Sequence, residues 1–198
     1  MVLGLPRGGV AVAYEVAKAL DAPLDVIVAR KLGAPQQPEL AIGAIAPGAS
    51  VLRHDIIDAL GISAAEIARI TERERARAAD LEQRFRGGRT PVDIAGRTAI
   101  VVDDGLATGA TATAAVHAIR ARHPARVILA VPVAAPESAG DLEREADEVV
   151  TVARPSGFRA VGLYYASFPQ LTDDEVEAML DERSASRLQP DQPSGQRR

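Results

Sequence analysis

Short apolar runs alternate along the chain with stretches in which apolar residues recur every three or four positions. The runs are rich in Val, Ile and Leu, which is typical of strands buried on both faces of a sheet. They lie at residues 1–5, 24–29, 99–102, 126–133 and 148–152. Helical spacing follows three of them, at residues 10–20, 112–122 and 136–146. This alternation predicts an α/β fold with a doubly wound, mostly parallel sheet and right-handed crossovers.

The stretch between the second and third of these strands departs from the alternation. It opens with Pro and Gln and reaches an apolar run at residues 40–46 that fits a strand. Residues 51–60 then fit a short strand that leads into a helical turn. A capping box from Ser63 to Glu66 starts a charged helix that we expect to reach about Phe85. We interpret its Arg- and Glu-rich outer face as solvated, with some pairing between residues four apart.

Aromatic residues are few, and most of them gather near the C-terminus, at Phe158, Tyr164, Tyr165 and Phe168. Two interpretations stay open: a cluster that packs the C-terminal elements together, or a surface that stacks on a flat heterocycle. A second capping box at Thr172 and Glu175 predicts a helix to about Arg183. The polar residues from Ser184 onward are predicted to be disordered. We therefore expect one domain over residues 1–183.

Composition narrows the class of protein and leaves the predicted fold unchanged. The chain has 198 residues, 47% of them apolar, a net charge of −4 and no cysteine. These values are typical of one globular domain and exclude disulfides and thiolate metal sites. No apolar run approaches the roughly 18 residues of a membrane span, and no secretory pattern opens the chain. We expect a cytoplasmic protein without a membrane partner, and its negative charge argues against nucleic acid as the main partner.

The most informative stretch is AIVVDDGLATGATATAAV, residues 99–116. A predicted strand ends at Asp103 and Asp104, a loop of small residues follows, and helical spacing resumes. Because ligands of open parallel sheets bind at the carboxyl ends of the strands, both features are expected to face one crevice. Backbone N–H groups of residues 107–111 can surround an anion, whereas the carboxylates suit either sugar hydroxyls or a cation or developing positive charge. A phosphate group beside a polyol describes a ribose 5-phosphate.

A second candidate anion loop, Pro6-Arg7-Gly8-Gly9, follows the first predicted strand. Its glycines let backbone N–H groups approach a ligand closely, and Arg7 offers a planar donor fork that suits phosphate. Arg30 and Lys31 follow the next strand, at the same expected edge of the sheet. Lys31 is the candidate for pairing with a further phosphate group, and the role of Arg30 stays open.

Taken together, the apolar strand, the Asp pair and the loop GLATGAT resemble the phosphoribosyl-diphosphate motif of the type I phosphoribosyltransferases. The resemblance extends from residue 1 to about residue 152. It implies that Asp103 and Asp104 hold the ribose hydroxyls and act in catalysis. It implies a 5-phosphate site formed by Ala107, Thr108, Gly109, Ala110 and Thr111, and a diphosphate site formed by Arg7, Gly8, Gly9 and Lys31. Family members often have a cis peptide bond in the loop that contains Arg7.

The resemblance also implies a reaction, in which a 5-phosphoribosyl group moves from phosphoribosyl diphosphate to a nitrogen nucleophile. A nucleobase is the expected small-molecule acceptor, and Mg²⁺ is expected to be held mostly by the substrate, without a metal site of the protein's own. A flap is implied over residues 33–90, a small hood over residues 154–183, and a homodimer is the candidate assembly. Glu39, in the flap region, is either a solvated carboxylate or a contact for the nucleophile. The alternative is a regulator that senses phosphoribosyl diphosphate or a nucleotide without turnover.

Two features depart from the family pattern. Family members usually carry residues before the first strand that help to form the hood, whereas this chain starts inside that strand. Either the start is truncated or the C-terminal segment builds the hood. Hypoxanthine-guanine enzymes resemble this loop but place an Asp at the position of Ala107. A 6-oxopurine is therefore a less expected acceptor, and the acceptor stays unassigned.

Overall fold

The computed structural model describes residues 1–188, which form two β-sheets flanked by helices. The strands of this region are β1 (Val2–Gly4), β2 (Leu24–Val26), β3 (Arg30–Gly33), β4 (Ala41–Ala46), β5 (Ala49–Leu52), β6 (Thr98–Val102), β7 (Arg126–Val133) and β8 (Glu148–Ala153). The helices are α1 (Gly8–Ala19), α2 (His54–Ala59), α3 (Ala64–Arg86), α4 (Ala110–Arg120), α5 (Pro136–Leu142) and α6 (Asp173–Leu188). A short 3-10 helix, Val161–Tyr164, lies between β8 and α6.

The larger sheet contains five parallel strands in the order β2-β1-β6-β7-β8. Val101 of β6 lies opposite Leu3 of β1 on one side and opposite Leu129 of β7 on the other. The chain runs outward from β1 to β2, returns to β6 beside β1, and continues outward to β8. This arrangement confirms the predicted doubly wound, mostly parallel sheet. Because β1 and β6 are parallel neighbours, the loops that follow them meet at one edge of the sheet.

The second strand of the main sheet is shorter than predicted. The apolar run at residues 24–29 suggests one strand, but β2 ends at Val26 and the next strand begins at Arg30. Ile27 and Val28 are buried although they lie outside both strands. The apolar run is therefore longer than the strand, because residues after the end of β2 are also buried.

The smaller sheet is antiparallel and has the order β3-β4-β5. β4 confirms the strand expected at residues 40–46, and the pattern at residues 51–60 resolves into the end of β5 followed by α2. Residues of β4 belong to two buried clusters. Ala44 joins the cluster around α4, α5 and the main sheet, and Ile45 joins the cluster around α1, α3 and α6. The small sheet therefore connects the two halves of the core.

Local sequence determines several helix ends. The hydroxyl of Ser63 accepts a hydrogen bond from the Glu66 backbone N–H, and the Glu66 carboxylate accepts one from the Ser63 backbone, which confirms the first capping box. The helix ends at Gly87, whose φ of 53° is a left-handed cap. α1 and α4 start earlier than predicted, at Gly8 and Ala110, because small loop residues form their first turns.

The C-terminal helix is longer than the polar sequence suggested. Its predicted capping box forms at Thr172. The expectation of disorder from Ser184 onward is wrong for residues 184–188, which continue α6, and residues 189–198 lie outside the described part. The buried guanidinium of Arg183 donates to Asp21 at 2.6 Å and anchors this last part of the helix. Within residues 1–188, none of the helices combines the length and apolarity needed to cross a membrane.

Candidate active site

Asp103 and Asp104 lie directly after β6, the central strand of the main sheet, and both are half-buried. Oδ1 of Asp103 accepts a hydrogen bond from the backbone N–H of Asp104 at 2.9 Å. Burial, together with the neighbouring charge of Asp104, raises the pKa of Asp103 to about 8. Burial also raises the pKa of Asp104. Near neutral pH the pair therefore favours a ligand that brings positive charge or hydrogen-bond donors.

The loop between β1 and α1 packs directly on this pair. A methyl group at Gly8 would lie 1.8 Å from Oδ2 of Asp104. A methyl group at Gly9 would lie 2.8 Å from Cα of Asp103. Only glycine fits at either position, because any side chain would have to displace the Asp pair. The structure thus brings together two loops that are about a hundred residues apart in the sequence.

Arg7 extends from the same loop, and the Pro6–Arg7 peptide bond is cis, as the resemblance implied. Nη1 of Arg7 lies 3.9 Å from Oδ1 of Asp173, whose other carboxylate oxygen accepts a hydrogen bond from Arg84 at 2.8 Å. A long, solvent-exposed ion pair of this kind contributes little to stability. The guanidinium of Arg7 is therefore available to an anion in the crevice.

The loop after the Asp pair surrounds a cavity of about 150 Å³. Ala107, Thr108, Gly109 and Thr111 line it, and of the expected 5-phosphate loop only Ala110 does not. Gly109 has a φ of 75°, and α4 begins at the next residue. The first backbone N–H groups of that helix have no helical acceptors, so they can bind an anion.

Ser138 is a supporting residue that sequence reasoning missed. Its hydroxyl, at the start of α5, donates to the backbone oxygen of Ala107 at 2.5 Å. The contact holds the loop against a helix 31 residues further along the chain. The local sequence does not predict this hydrogen bond, because serine is common near the start of helices in general.

A larger cavity of about 320 Å³, mostly apolar, lies beside Asp104. Its lining combines Arg7 and Gly8 with Tyr165, Phe168 and other residues of the C-terminal segment. The cavity therefore adjoins both the first loop and the Asp pair. Its walls combine aromatic rings with a guanidinium and a carboxylate, which suits a flat molecule with a few polar groups.

The four C-terminal aromatic residues form two pairs with different surroundings. Phe158 and Tyr164 stack with ring centroids 5.7 Å apart, whereas Tyr165 and Phe168, 5.0 Å apart, face the cavity. The hydroxyl of Tyr165 donates to the backbone oxygen of Asp104 at 2.5 Å. The first pair fits the packing interpretation, and the second lies where a flat heterocycle could stack on it, so that interpretation stays a prediction. The hydrogen bond of Tyr165 joins residues 61 apart, and nothing in the local sequence predicts it.

Lys31 does not line either of these cavities. Its ammonium lies 3.2 Å from Oε2 of Glu39, and it lines a third cavity together with Arg30. The reason is the departure of β3 from the parallel sheet, which carries both cations into the antiparallel sheet. The side chain of Glu39 is 99% exposed, which favours the solvated interpretation of that carboxylate.

Metal binding can be judged from the carboxylates. Residues 1–188 contain no group of three or more His, Asp or Glu side chains placed to hold a metal ion. Mg²⁺ commonly uses one or two protein carboxylates and completes its coordination with waters and phosphate oxygens. The Asp pair fits that kind of partial site, because Asp104 reaches the cavity that Arg7 also lines.

The sequence and the fold of this chain are similar to those of known proteins. The profile of the phosphoribosyl transferase domain matches residues 1–166. Over 182 residues the chain is 49% identical to proteins from two strains of Mycobacterium tuberculosis, CDC 1551 / Oshkosh and H37Rv, each named "Putative phosphoribosyl transferase". The match covers 91% of this chain but 41% of those relatives, so the chain spans about two fifths of their length. The crystal structure of TT1426 from Thermus thermophilus is similar with a TM-score of 0.77 and 43% identity, covering 91% of this chain and 86% of that one.

Proposed function

Because the chain belongs to the phosphoribosyl transferase domain family, we propose that it transfers a 5-phosphoribosyl group from phosphoribosyl diphosphate to a nitrogen nucleophile. One observation carries the proposal: the two candidate loops touch, since a methyl group at Gly8 would lie 1.8 Å from the carboxylate of Asp104. A ligand with a sugar between two phosphate-bearing ends can therefore contact both loops at once.

The donor is assigned to the loops by the chemistry of each. The 5-phosphate accepts hydrogen bonds from backbone N–H groups of residues 107–111 at the start of α4. Gly8 and Gly9 allow the backbone to approach the diphosphate, and Arg7 neutralises its charge. Lys31 belongs to this assignment only if β3 moves toward the donor, because in the structure its ammonium is paired with Glu39.

In the proposed reaction the bond between ribose C1 and the diphosphate oxygen breaks, and the electron pair leaves with the diphosphate. The acceptor nitrogen forms the new bond to C1 and releases a proton. Positive charge develops on the ribose and negative charge on the diphosphate. Asp103 and Asp104 would stabilise the first, and Arg7 the second, by fixed electrostatic interactions. Ligand hydroxyls and a cation beside Asp103 would favour its ionised form.

Magnesium fits this site as an ion shared with the donor. Asp104, and Asp103 once ionised, would offer carboxylate oxygens to the ion at the crevice, and the donor and water would supply its remaining ligands. When bound, the ion would neutralise charge on the diphosphate and so make it a better leaving group.

We propose that the acceptor binds in the cavity of about 320 Å³ beside Asp104. Tyr165 and Phe168 offer aromatic faces to a flat heterocycle. The same cavity reaches Arg7 and Gly8, so the acceptor would lie beside the donor loop. A nucleobase is the acceptor class that these walls suit. Ala107 supplies no acidic group, and the family resemblance therefore favours nitrogen heterocycles other than 6-oxopurines.

Isothermal titration with phosphoribosyl diphosphate and Mg²⁺, followed by a screen for diphosphate release over nucleobases, tests the proposal. We expect saturable donor binding and release with at least one acceptor. Binding without release for any acceptor would favour the regulator that senses the donor. No binding would refute both functions.

Replacing both carboxylates, as Asp103→Asn with Asp104→Asn, is expected to weaken donor binding at least about tenfold and to lower turnover about a hundredfold or more, since each contact removed is to a charged group. The matched control is Asp58→Asn with Asp80→Asn, which makes the same two substitutions at exposed positions away from the site. The measurements are the donor dissociation constant and the rate of diphosphate release. Wild-type activity in the Asp103 and Asp104 variant would contradict the role assigned to the pair.

A further inference from the structure

A third cavity, of about 400 Å³, lies between α3 and the loop that follows β3. The proposed reaction does not require it. Its charged lining consists of five cationic side chains and one acidic one, namely Arg30, Lys31, Arg69, Arg73, Arg77 and Glu74. The whole chain has a net charge of −4, whereas these six side chains together carry a net charge of +4. Positive charge is therefore concentrated in one concave region of an acidic protein, which raises the local concentration of anions.

Glu74 organises this cluster. Its side chain is 5% exposed and accepts hydrogen bonds from Nε of Arg30 at 2.8 Å, Nε of Arg73 at 3.0 Å and Nη1 of Arg77 at 2.9 Å. Burial would raise the pKa of the Glu74 carboxyl, but the hydrogen bonds from Arg30 and Arg73 and the charge of Arg77 hold that pKa below its usual value. One ionised carboxylate thus fixes the orientation of three guanidinium groups.

A purely structural role, in which Glu74 links α3 to β3, does not explain why so many arginines surround this carboxylate. One arginine would neutralise the charge of a single carboxylate, and the three that bind Glu74 leave an excess of positive charge. Arg69 lines the cavity and forms no salt bridge within 4.0 Å of a described residue, although its charge helps to lower the pKa of the Glu66 carboxyl. Arg69, Arg73 and Arg77 are four residues apart and lie along one side of the helix. Their mutual repulsion is relieved when an anion binds between them.

We propose that the cavity between α3 and the β3 loop is a second anion site, which binds a small phosphorylated molecule through Arg30, Arg69, Arg73 and Arg77. Arginine forks match phosphate oxygens in pairs. Arg30 and Arg73 each use only Nε on Glu74, and no other described residue accepts from their terminal N–H groups, which can therefore donate to a ligand. The concave shape of the cavity and the net negative charge of the whole chain favour a compact anion over a nucleic acid. Lys31 is the one lining residue that we also assign to the donor, so the inference does not depend on the proposed transfer reaction.

The test compares two single variants of the same helix in the full chain. Arg69→Gln removes a cation from the cavity without touching Glu74, and Arg75→Gln removes one from an exposed position paired with Glu72. Titration with inorganic diphosphate is expected to show about tenfold weaker binding for Arg69→Gln and unchanged binding for Arg75→Gln. Affinity of the wild type should fall as NaCl is raised, because exposed charges are screened.

An Arg7→Ala variant separates the second site from the donor loop. It is expected to keep one diphosphate site, and adding Arg69→Gln to it should weaken that site about tenfold. A nucleoside triphosphate is the second probe, and whichever probe binds more tightly identifies the ligand as an inorganic or an organic phosphate. Equal affinities of Arg69→Gln and Arg75→Gln, or loss of all diphosphate binding in Arg7→Ala, would overturn the inference. Diphosphate binding that depends on Arg69 in a protein that does not bind phosphoribosyl diphosphate would uphold it while refuting the proposed function.

Discussion

Asp103 keeps a carboxyl group in surroundings that disfavour its charge. Burial and the neighbouring Asp104 raise its pKa from the ordinary value of 3.8 to about 8. Between these two values the folded protein keeps a proton on Asp103 that the unfolded chain has released. By proton linkage, the contribution of this group to the free energy of unfolding decreases as the pH rises from about 4 to about 8. The residue that we assign to the ribose therefore destabilises the folded state increasingly as the pH rises above about 4.

Removing this charge should stabilise the protein in a pH-dependent way. Asp103→Asn keeps an oxygen that can accept the Asp104 N–H hydrogen bond and eliminates the ionisation. We expect its Tm to exceed that of the wild type by a margin that grows between pH 5 and pH 8, at about 2–4 °C for each kcal/mol. Thermal unfolding at several pH values measures the margin, with Asp58→Asn as the exposed control. A margin that is constant or shrinks with pH would contradict the raised pKa.

At the scale of elements, the C-terminal segment closes over the loop that follows β6. A methyl group at Gly105 would lie 2.6 Å from Val161, so the 3-10 helix that starts at Val161 rests on the Asp-pair loop itself. Tyr165 adds the hydrogen bond to the backbone of Asp104. Burial and the charges of Asp104 and Asp103 raise the pKa of Tyr165 to about 12. Its hydroxyl therefore remains a donor at physiological pH, and the segment holds the Asp pair in place.

The hydroxyl of Tyr165 can be removed without removing its ring. Tyr165→Phe should lower the free energy of unfolding by about 1 kcal/mol, because the backbone oxygen of Asp104 loses its donor. Tyr164→Phe is the matched control, since its ring stacks on Phe158 and its hydroxyl has no hydrogen-bond partner within the described residues. Thermal unfolding should show a loss of about 2–4 °C for Tyr165→Phe only. Equal Tm values for the two variants would exclude a structural role for this hydroxyl.

At the scale of the whole molecule, α6 completes the second half of the core. Val176 and Leu180 are buried in the cluster that also contains residues of α1 and α3. Charged contacts surround this apolar seam: Arg84 binds Asp173, Asp174 and Glu177, and Arg89 binds Asp181. The helix therefore packs against elements from the first half of the chain. The segment between β8 and α6 is in turn held at both ends.

A void created in the apolar contact between α6 and the helices α1 and α3 should lower the free energy of unfolding of the whole protein. Leu180→Ala is expected to lower the free energy of unfolding by about 2–5 kcal/mol, because Leu180 is 2% exposed and α6 can collapse only partly around the void. Leu20→Ala makes the same change at a side chain that is 56% exposed, and should alter stability by about 0.5 kcal/mol or less. Urea unfolding of both variants measures the difference. A small effect at Leu180 would mean that α6 is not part of the cooperative unit.

Much of the fold and of the candidate site can be predicted from the sequence because the signals are local. Apolar runs that are buried on both faces identify the strands of the main sheet, and capping boxes place the starts of α3 and α6. The loop at residues 107–111 and the glycines beside Arg7 are recognisable from residue type and order. Local signals overstate some segments as well, since burial of Ile27 and Val28 hides the end of β2.

By itself, the sequence determined the parallel sheet, the positions of the two loops and the Asp pair between strand and helix, because burial and capping act over a few neighbouring residues. Only the tertiary structure decided which distant groups meet. It placed Gly8 against the side chain of Asp104 and the hydroxyl of Tyr165 against the backbone oxygen of Asp104. It also placed Lys31 in the antiparallel sheet, where the residue lines a cavity other than the two beside the Asp pair. It also gathered arginines from β3 and α3 around Glu74. The contacts of Gly8 with Asp104, of Tyr165 with Asp104 and of Arg30 with Glu74 join residues tens of positions apart, so they depend on how the elements pack and leave no periodic trace in the chain.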